Sequence, residues 1–472
     1  MSGQGRGLIR RALDALPTFL RRGRTPNELA QAWSEAARRV GLTEVLVLSS
    51  AFDLDMALSA RSGGLRVEIQ SSRTSRQTQL AIVIEGLGHH PGELDLQAES
   101  FETRVVKAIG ARERTIGDPA FDDAVYVRGS PPLLHALFDE ETRRIVLRFL
   151  QDRIDVPGSA IGRSLGGRAS VADGRLRVEM PEPASVHPAR LADTLSGLLA
   201  VAQRLVRPAD VAGRLAFNLG REPLPAVRRR CLAVLVRDYP GLPATLAALR
   251  GALGDSDLEV RVQAAQALGD EGEATLREIA TAEEAPEDIR ARAARALGAR
   301  LSVDLGVTIL RQSLRRRRVQ LAEACLEVLG REGGEGVVGP LGKVLAIEKG
   351  ELAEAAARAL GETGRPEAEM PLIDALQNPD AAVKLAAAVA LGRSGSAAAV
   401  ASLRQLETAS DAAHRRAARQ AIAEIQERLT GASPGQLSLS EGESGQLSLS
   451  EDEAGRVSLP ETDDATASQE DR

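Results

Sequence analysis

Val260-Arg261-Val262-Gln263-Ala264-Ala265-Gln266-Ala267-Leu268-Gly269 is one of three closely matching stretches; the others run from Ile289 to Gly298 and from Val383 to Gly392. Counting back from the closing glycine, apolar or small residues fall at offsets nine, five, four, two and one, one face of a 3.6-residue helix. Related segments end at Val236, Gly330, Gly361 and Ala423, so seven copies follow at steps of 33, 29, 32, 31, 31 and 31 residues. A repeat of this length predicts a helical solenoid, each unit burying its apolar stripe against the next.

Working outward, alanine pairs such as Ala264-Ala265, Ala293-Ala294, Ala356-Ala357 and Ala387-Ala388 let a neighbouring helix approach closely. The closing glycine suits the left-handed residue that ends many helices, and is expected to stop each helix there. A second amphipathic stretch precedes each copy: Leu242 to Leu253, Ala274 to Thr281, Val303 to Leu314, Val337 to Ala346, Glu367 to Leu376 and Ala397 to Leu406. Pro208 to Leu219 supplies the first helix of the first pair. Between the two, Asp255-Ser256-Asp257 and Asn378-Pro379-Asp380 offer cap oxygens, and Pro286 and Pro379 suit a first helical turn. Each repeat is therefore a helical hairpin.

The motif V-R-x-x-A-A-x-A-L-G resembles the HEAT repeat, in the short bacterial form also found in phycobilin lyases, over roughly Pro208 to Leu429. The copies ending at Val236 and Ala423 lack the glycine, as capping repeats do, and Cys325-Leu326 replaces the alanine pair in the fourth. The resemblance implies an all-α, right-handed superhelical array that binds proteins. It leaves two alternatives: a lyase-like or other HEAT-like enzyme, and a nucleic-acid-associated HEAT protein. HEAT-like iron hydroxylases use paired His-Glu dipeptides, and this chain has none.

The 472 residues suffice for several cores. We expect a basic amphipathic segment over 1–25, an α+β domain over 26–206, the solenoid over 207–430 and an acidic tail over 431–472. Leu8, Ile9, Ala12, Leu13 and Leu16 share a face among the arginines of residues 6–24; docking on the chain itself outweighs contact with a membrane surface. No run has the features of a signal peptide or transmembrane length. Both cysteines, Cys231 and Cys325, occupy the same packed offset of the repeat, which favours buried free thiols and a reducing cytoplasm. From Gly431 onward ten acids face two arginines, so the tail carries −8 of the overall −6 and the remainder +2. That balance removes the footprint of a general nucleic-acid binder, and Tyr239 is the last aromatic able to stack a base.

In the first domain a helix from Pro26 to about Val40 carries Trp33, and alternating segments at Leu42–Leu48, Leu54–Ala60, Leu65–Ile69, Leu80–Ile84 and Leu94–Gln97 predict an antiparallel sheet. Ser62-Gly63-Gly64 is a hairpin turn. A strand at Ala124–Val127, a helix over Pro131–Gln151, a strand at Leu176–Met180 and a helix over His187–Leu205 complete an α+β layer fold. Gly117-Asp118-Pro119-Ala120-Phe121-Asp122 is similar to a segment of uncharacterised bacterial proteins, which implies no activity. Here it turns the chain and plugs Phe121 into the core.

Chemistry-bearing patterns are sparse: we identify no catalytic residue, no metal ligand set and no cofactor. His89 and His90 lie in a glycine-rich connection expected to face solvent, and His135, His187 and His414 stand singly. Gly158 to Ser164 is one residue short of a phosphate loop and has Arg163 where lysine is needed. Arg228, Arg261, Arg290, Lys384 and Arg415 share one offset and predict a structural ladder with acids such as Asp257 and Asp380. Arg315 to Arg318 reads as a solvated basic turn.

Gly435-Gln436-Leu437-Ser438-Leu439-Ser440-Glu441 recurs at 445–451 and, weakly, at 455–461. This polar tail is expected to be disordered, as a solubilising segment or a multivalent strand-adding peptide. It resembles the opening of the peptide that grips the bacterial sliding clamp, yet Ser440-Glu441 and Ser450-Glu451 stand where bulky apolar residues are needed. The sequence thus predicts a cytoplasmic bacterial adaptor with a protein partner. Arg290, Arg292, Arg295, Glu323, Glu327, Glu354 and Arg358 on the second helices would supply charge selectivity.

Overall fold

The computed structural model describes residues 26–49, 56–73, 78–90, 92–98, 115–151, 169–181, 188–332, 334–408, 411–428, 437–439 and 447–449. Expectations for 1–25, Gly158 to Ser164, His187 and the rest of the tail lie outside them. The chain divides into two compact units, Met1–Ala267 and Leu268–Arg472. Among the described residues no helix is long and apolar enough to cross a membrane.

In the first unit, alternating side chains build one eight-stranded sheet from β1 (Thr43–Ser49), β2 (Met56–Ser62), β3 (Leu65–Arg73), β4 (Thr78–Glu85), β5 (Leu94–Ala98), β6 (Val125–Gly129), β7 (Ala169–Ala172) and β8 (Arg175–Pro181). Their order is β1-β2-β3-β4-β8-β7-β5-β6, and every pairing is antiparallel. Register aligns Leu58, Ile69, Ile82 and Val178 in one fully buried row. Glu68, Val83 and Arg177 lie on the opposite face. Helix α1 (Pro26–Arg39) packs on α5 (Pro188–Arg204) and on the sheet, burying Trp33, Ala36 and Ala37.

Three details depart from expectation. Strand β7 has a single large apolar residue, Val171, too little alternation to read. The helix expected over Pro131–Gln151 is two, α3 (Pro131–Leu137) and α4 (Glu140–Gln151); Phe138 leaves helical geometry and Asp139 caps the second by accepting from Thr142 N at 2.8 Å. Phe138 is thereby placed 5.2 Å from the ring of Phe121, on α2 (Pro119–Ala124), with both side chains fully buried. His89 is buried rather than solvent-facing, because Leu87 is pinned to Gly174 and Arg207 by backbone bonds; His90 stays exposed.

Among the described residues seven helical hairpins follow: α6 (Val211–Arg221) with α7 (Pro225–Asp238), α8 (Pro243–Ala252) with α9 (Leu258–Leu268), and α10 (Glu273–Thr281) with α11 (Glu287–Leu297). Then come α12 (Val303–Arg315) with α13 (Val319–Glu332), α14 (Val338–Ile347) with α15 (Glu351–Glu362), α16 (Glu369–Ala375) with α17 (Ala381–Ser394), and α18 (Ala399–Glu407) with α19 (Ala412–Arg428). The second helices stack in series, α11 on α13, α13 on α15, α15 on α17 and α17 on α19. Two tail segments, β9 (Leu437–Leu439) and β10 (Leu447–Leu449), pair antiparallel with each other, so one decapeptide repeat folds onto the next.

The motif glycine has two roles, only one of which was expected. Gly269 and Gly298 adopt left-handed φ values of 63° and 50° at helix ends. Gly330, Gly361 and Gly392 instead lie inside α13, α15 and α17, which run on past them. A Cβ at Gly330 would stand 2.7 Å from the Ala359 backbone, one at Gly361 would stand 2.5 Å from Ala390 Cβ, and one at Gly392 would stand 3.0 Å from Ala421 Cα. Each glycine thus seats the small residue two places before the next copy's end, allowing backbones to touch.

The ladder offset also behaves differently. Arg261 Nε donates to Leu253 O at 3.0 Å and Arg290 Nε to Ala280 O at 3.0 Å, carbonyls at the end of the preceding helix. Arg228 reaches Glu222 O and Pro223 O and clasps Asp255 with two bonds of 2.8 and 2.7 Å. The expected partner Asp257 caps Val260 N and bonds Arg229, while Asp380 caps Ala382 N. Carbonyls take part because the last turn of a helix leaves its acceptors unpaired, and guanidinium donors satisfy them, at Arg228 together with an acid of the next turn.

Candidate protein-binding groove

On the second-helix face of the Leu268–Arg472 unit, a groove of about 300 Å³ opens across α11, α13 and α15. Arg295, Glu323, Glu327, Arg331, Arg358 and Glu362 form its walls over a floor of Ala355 and Ala359. Four of the seven residues singled out from sequence therefore meet in one place. Helical spacing explains this: Glu323 and Glu327 are four apart on α13, and Arg295 and Arg358 occupy the offset of Glu327 in the neighbouring copies.

Glu327 is the hub. It accepts from Arg295 Nε at 2.8 Å and from Arg331 Nη2 at 2.6 Å, bonding one neighbour across the stack and one along its own helix. The Arg295 hydrogen bond, aided by Arg331 against partial burial, holds its carboxyl below the usual range. It stays ionised near neutrality and has no proton to give. Arg358 lies 3.7 Å from Glu354, a loose pair, while Glu323 and Glu362 keep unpaired carboxylates among the described residues. Such half-exposed pairs contribute little stability, leaving their charges available to a partner.

The other three residues lie outside the groove lining. Arg290 is a correction: it is buried, and its donor bond to Ala280 O makes it part of the packing rather than the surface. Burial, then the nearby Arg318, lowers its pKa. Arg292 is exposed on α11 and Glu354 is half-buried on α15; neither lines the groove, and Glu354 meets it only through its loose pair with Arg358. Sequence reasoning missed Arg331 and Glu362, each one residue beyond a motif glycine. Both were lost for the same reason: the glycines were expected to end the helices, which instead continue.

One turn further along the stack the same two surface offsets change character. The positions equivalent to Glu354 and Arg358 are Leu385 and Val389 on α17, 36% and 43% exposed. They form an apolar step beside the charged groove. Of the remaining candidates, Cys231 and Cys325 are free and buried, and burial pushes each thiol up to about 12, so neither is a nucleophile near neutrality. His414 is held by Asp411 at 2.8 Å and Ala381 O at 2.9 Å.

A family model described as HEAT repeats matches residues 217–298 and 338–423. Among solved structures, human deoxyhypusine hydroxylase in complex with glycerol is 18% identical, over 46% of this chain and 98% of that one, with a TM-score of 0.21. An engineered protein is 23% identical over 46% and 97%, TM-score 0.25. Importin beta in an ammonium sulfate condition is 13% identical over 63% and 47%, TM-score 0.34. No curated protein matches the sequence. Residues 217–298 and 338–423, within the run of helical hairpins, are HEAT repeats.

Proposed function

We propose that the chain is a protein-binding scaffold whose groove across α11, α13 and α15 captures a segment of a partner protein. One observation carries this reading: residues of both signs from three successive repeats converge on an alanine floor, beside the exposed Leu385 and Val389. An apolar anchor next to a charged rim suits a protein segment bearing one hydrophobic side chain flanked by basic and acidic ones. The unpaired Glu323 and Glu362 favour a lysine or arginine there, and Arg358 an acid. The free, buried thiols Cys231 and Cys325 suit a reducing cytoplasm as the setting.

The test is differential capture with full-length protein. Charge reversal at Arg295 and Arg358, and separately Leu385→Asp with Val389→Asp, should each weaken the same captured protein by about tenfold or more, with circular dichroism unchanged. Capture indifferent to both pairs would remove the groove as the binding site.

A further inference from the structure

The turns joining the two helices of each repeat follow one chemical rule with a single exception. Six of the seven carry acids: Glu222, Asp255, Glu283, Glu348, Asp380 and Asp411 mark them in order. Carboxylates there complement the positive end of the helix that follows, and Asp257 and Asp380 cap their helices directly. The fourth turn, between α12 and α13, reads Arg316-Arg317-Arg318 after Arg315 and has no acid. Four cations at a helix N-terminus oppose its dipole, and the fold compensates by borrowing Glu287 from the preceding repeat to accept from Leu321 N at 3.2 Å.

Only half of this charge is answered locally. Arg316 pairs with Glu283 at 2.6 Å and Arg318 donates to Glu283 O at 3.2 Å, with the buried Arg290 alongside. The guanidinium groups of Arg315 and Arg317 are exposed and meet no partner among the described residues. The array elsewhere places acids at this position; here two exposed guanidinium groups stand in their place.

We propose that the acidic tail of this chain, chiefly Glu451-Asp452-Glu453 and Glu461 with Asp463-Asp464, docks in cis on the basic turn formed by Arg315 to Arg318. Charge is complementary: the tail holds −8 where the rest of the chain holds +2. Reach is sufficient. Three helix spacings separate α19 from α13, and the turn lies at the far end of a helix, roughly 35–40 Å in all. Even with the β9-β10 pair closed, the chain fully extended from Arg428 to β9 and again beyond β10 spans about 40–45 Å to Glu453 and about 75–80 Å to Asp464. Tethering supplies the tail at a high local concentration that a free peptide lacks. This site is separate from the groove, and any other anionic partner of the turn competes with the tail for it.

The test uses the full chain with Gln320→Cys and Ser458→Cys carrying a fluorescent donor and acceptor, since the two native thiols are buried. Energy transfer should be high at low salt and fall by about twofold or more in roughly 0.5 M salt, where screening shortens the reach of charges. Arg315→Glu with Arg317→Glu, which leaves the Glu283 contacts intact, should lower transfer equally at low salt. Adding Glu451→Lys, Asp452→Lys and Glu453→Lys to that pair should restore it. Transfer unchanged by the arginine reversals overturns the proposal. So does a short single-stranded oligonucleotide or acidic peptide that binds through Arg315 and Arg317 without altering transfer.

Discussion

A hydrogen atom in place of a methyl group decides how closely α15 approaches α17. At Gly361 a Cβ would fall 2.5 Å from Ala390 Cβ, well inside contact distance, so Gly361→Ala should destabilise the protein by about 1–3 kcal/mol in urea unfolding. Gly339, inside α14, has nothing within 4 Å of a new methyl group, and Gly339→Ala should stabilise by about 0.5–1 kcal/mol through helix propensity alone. Opposite signs from the same substitution separate close packing from conformational preference. His89 offers a second test. Burial pulls its pKa below the ordinary 6.5, only partly countered by the Leu205 backbone and Glu93. The unfolded chain then binds the proton more tightly than the folded one. Stability should be constant well above pH 6.5 and fall as the pH drops through 6.5; His89→Gln should flatten that slope. The glycines were legible as special positions, but Leu-Gly fits both a helix end and a close approach, and neighbours thirty residues away choose between them.

At the scale of elements, one buried cluster ties the sheet-containing region to the first hairpin. Helix α3 packs against α6 and α7. Asn218 donates to His135 O and Ala136 O at 2.8 and 3.1 Å, closing the carbonyl end of α3. Arg143, 2% exposed, pairs with Asp118 at 2.8 Å and Glu222 at 2.7 Å and donates to Phe138 O. Burial opposes its charge, yet the bonds to Glu222 and Asp118 prevail and raise its pKa. Arg143→Met should cost about 3–5 kcal/mol by stranding buried carboxylates, and adding Glu222→Leu should recover part of that loss in a double-mutant cycle read by thermal melting. Periodicity revealed nearly every helix and strand nearby, because repeats of two and of 3.6 are local. The break at Phe138 was passed over although the polar run Asp139 to Arg144 interrupts the apolar pattern there, and periodicity holds no sign of a salt bridge linking residues 79 positions apart.

At the scale of the whole molecule, the two compact units each hold one cysteine, Cys231 in Met1–Ala267 and Cys325 in Leu268–Arg472. With both thiols pushed up to about 12, neither should react with a thiol reagent in the native protein at about pH 8. Along a urea gradient the two should become labelled at different concentrations, resolved by peptide mapping; coincident labelling would show one cooperative transition instead. Repetition is what sequence alone made plain: seven hairpins, an antiparallel sheet ahead of them and an acidic extension all follow from spacing and composition, which are local properties of the chain. The groove was half visible. Helix position placed Arg295, Glu323, Glu327 and Arg358 on one surface, since an offset repeated in every copy lands on the same face. Tertiary structure decided the rest: that Arg290 is buried while Arg331 and Glu362 join the walls, that a motif glycine is a seat for alanine, and that a ladder arginine serves helix-end carbonyls as well as acids. Those outcomes depend on which atoms of the next repeat arrive at a given point, and distance between copies is not written in the period that joins them.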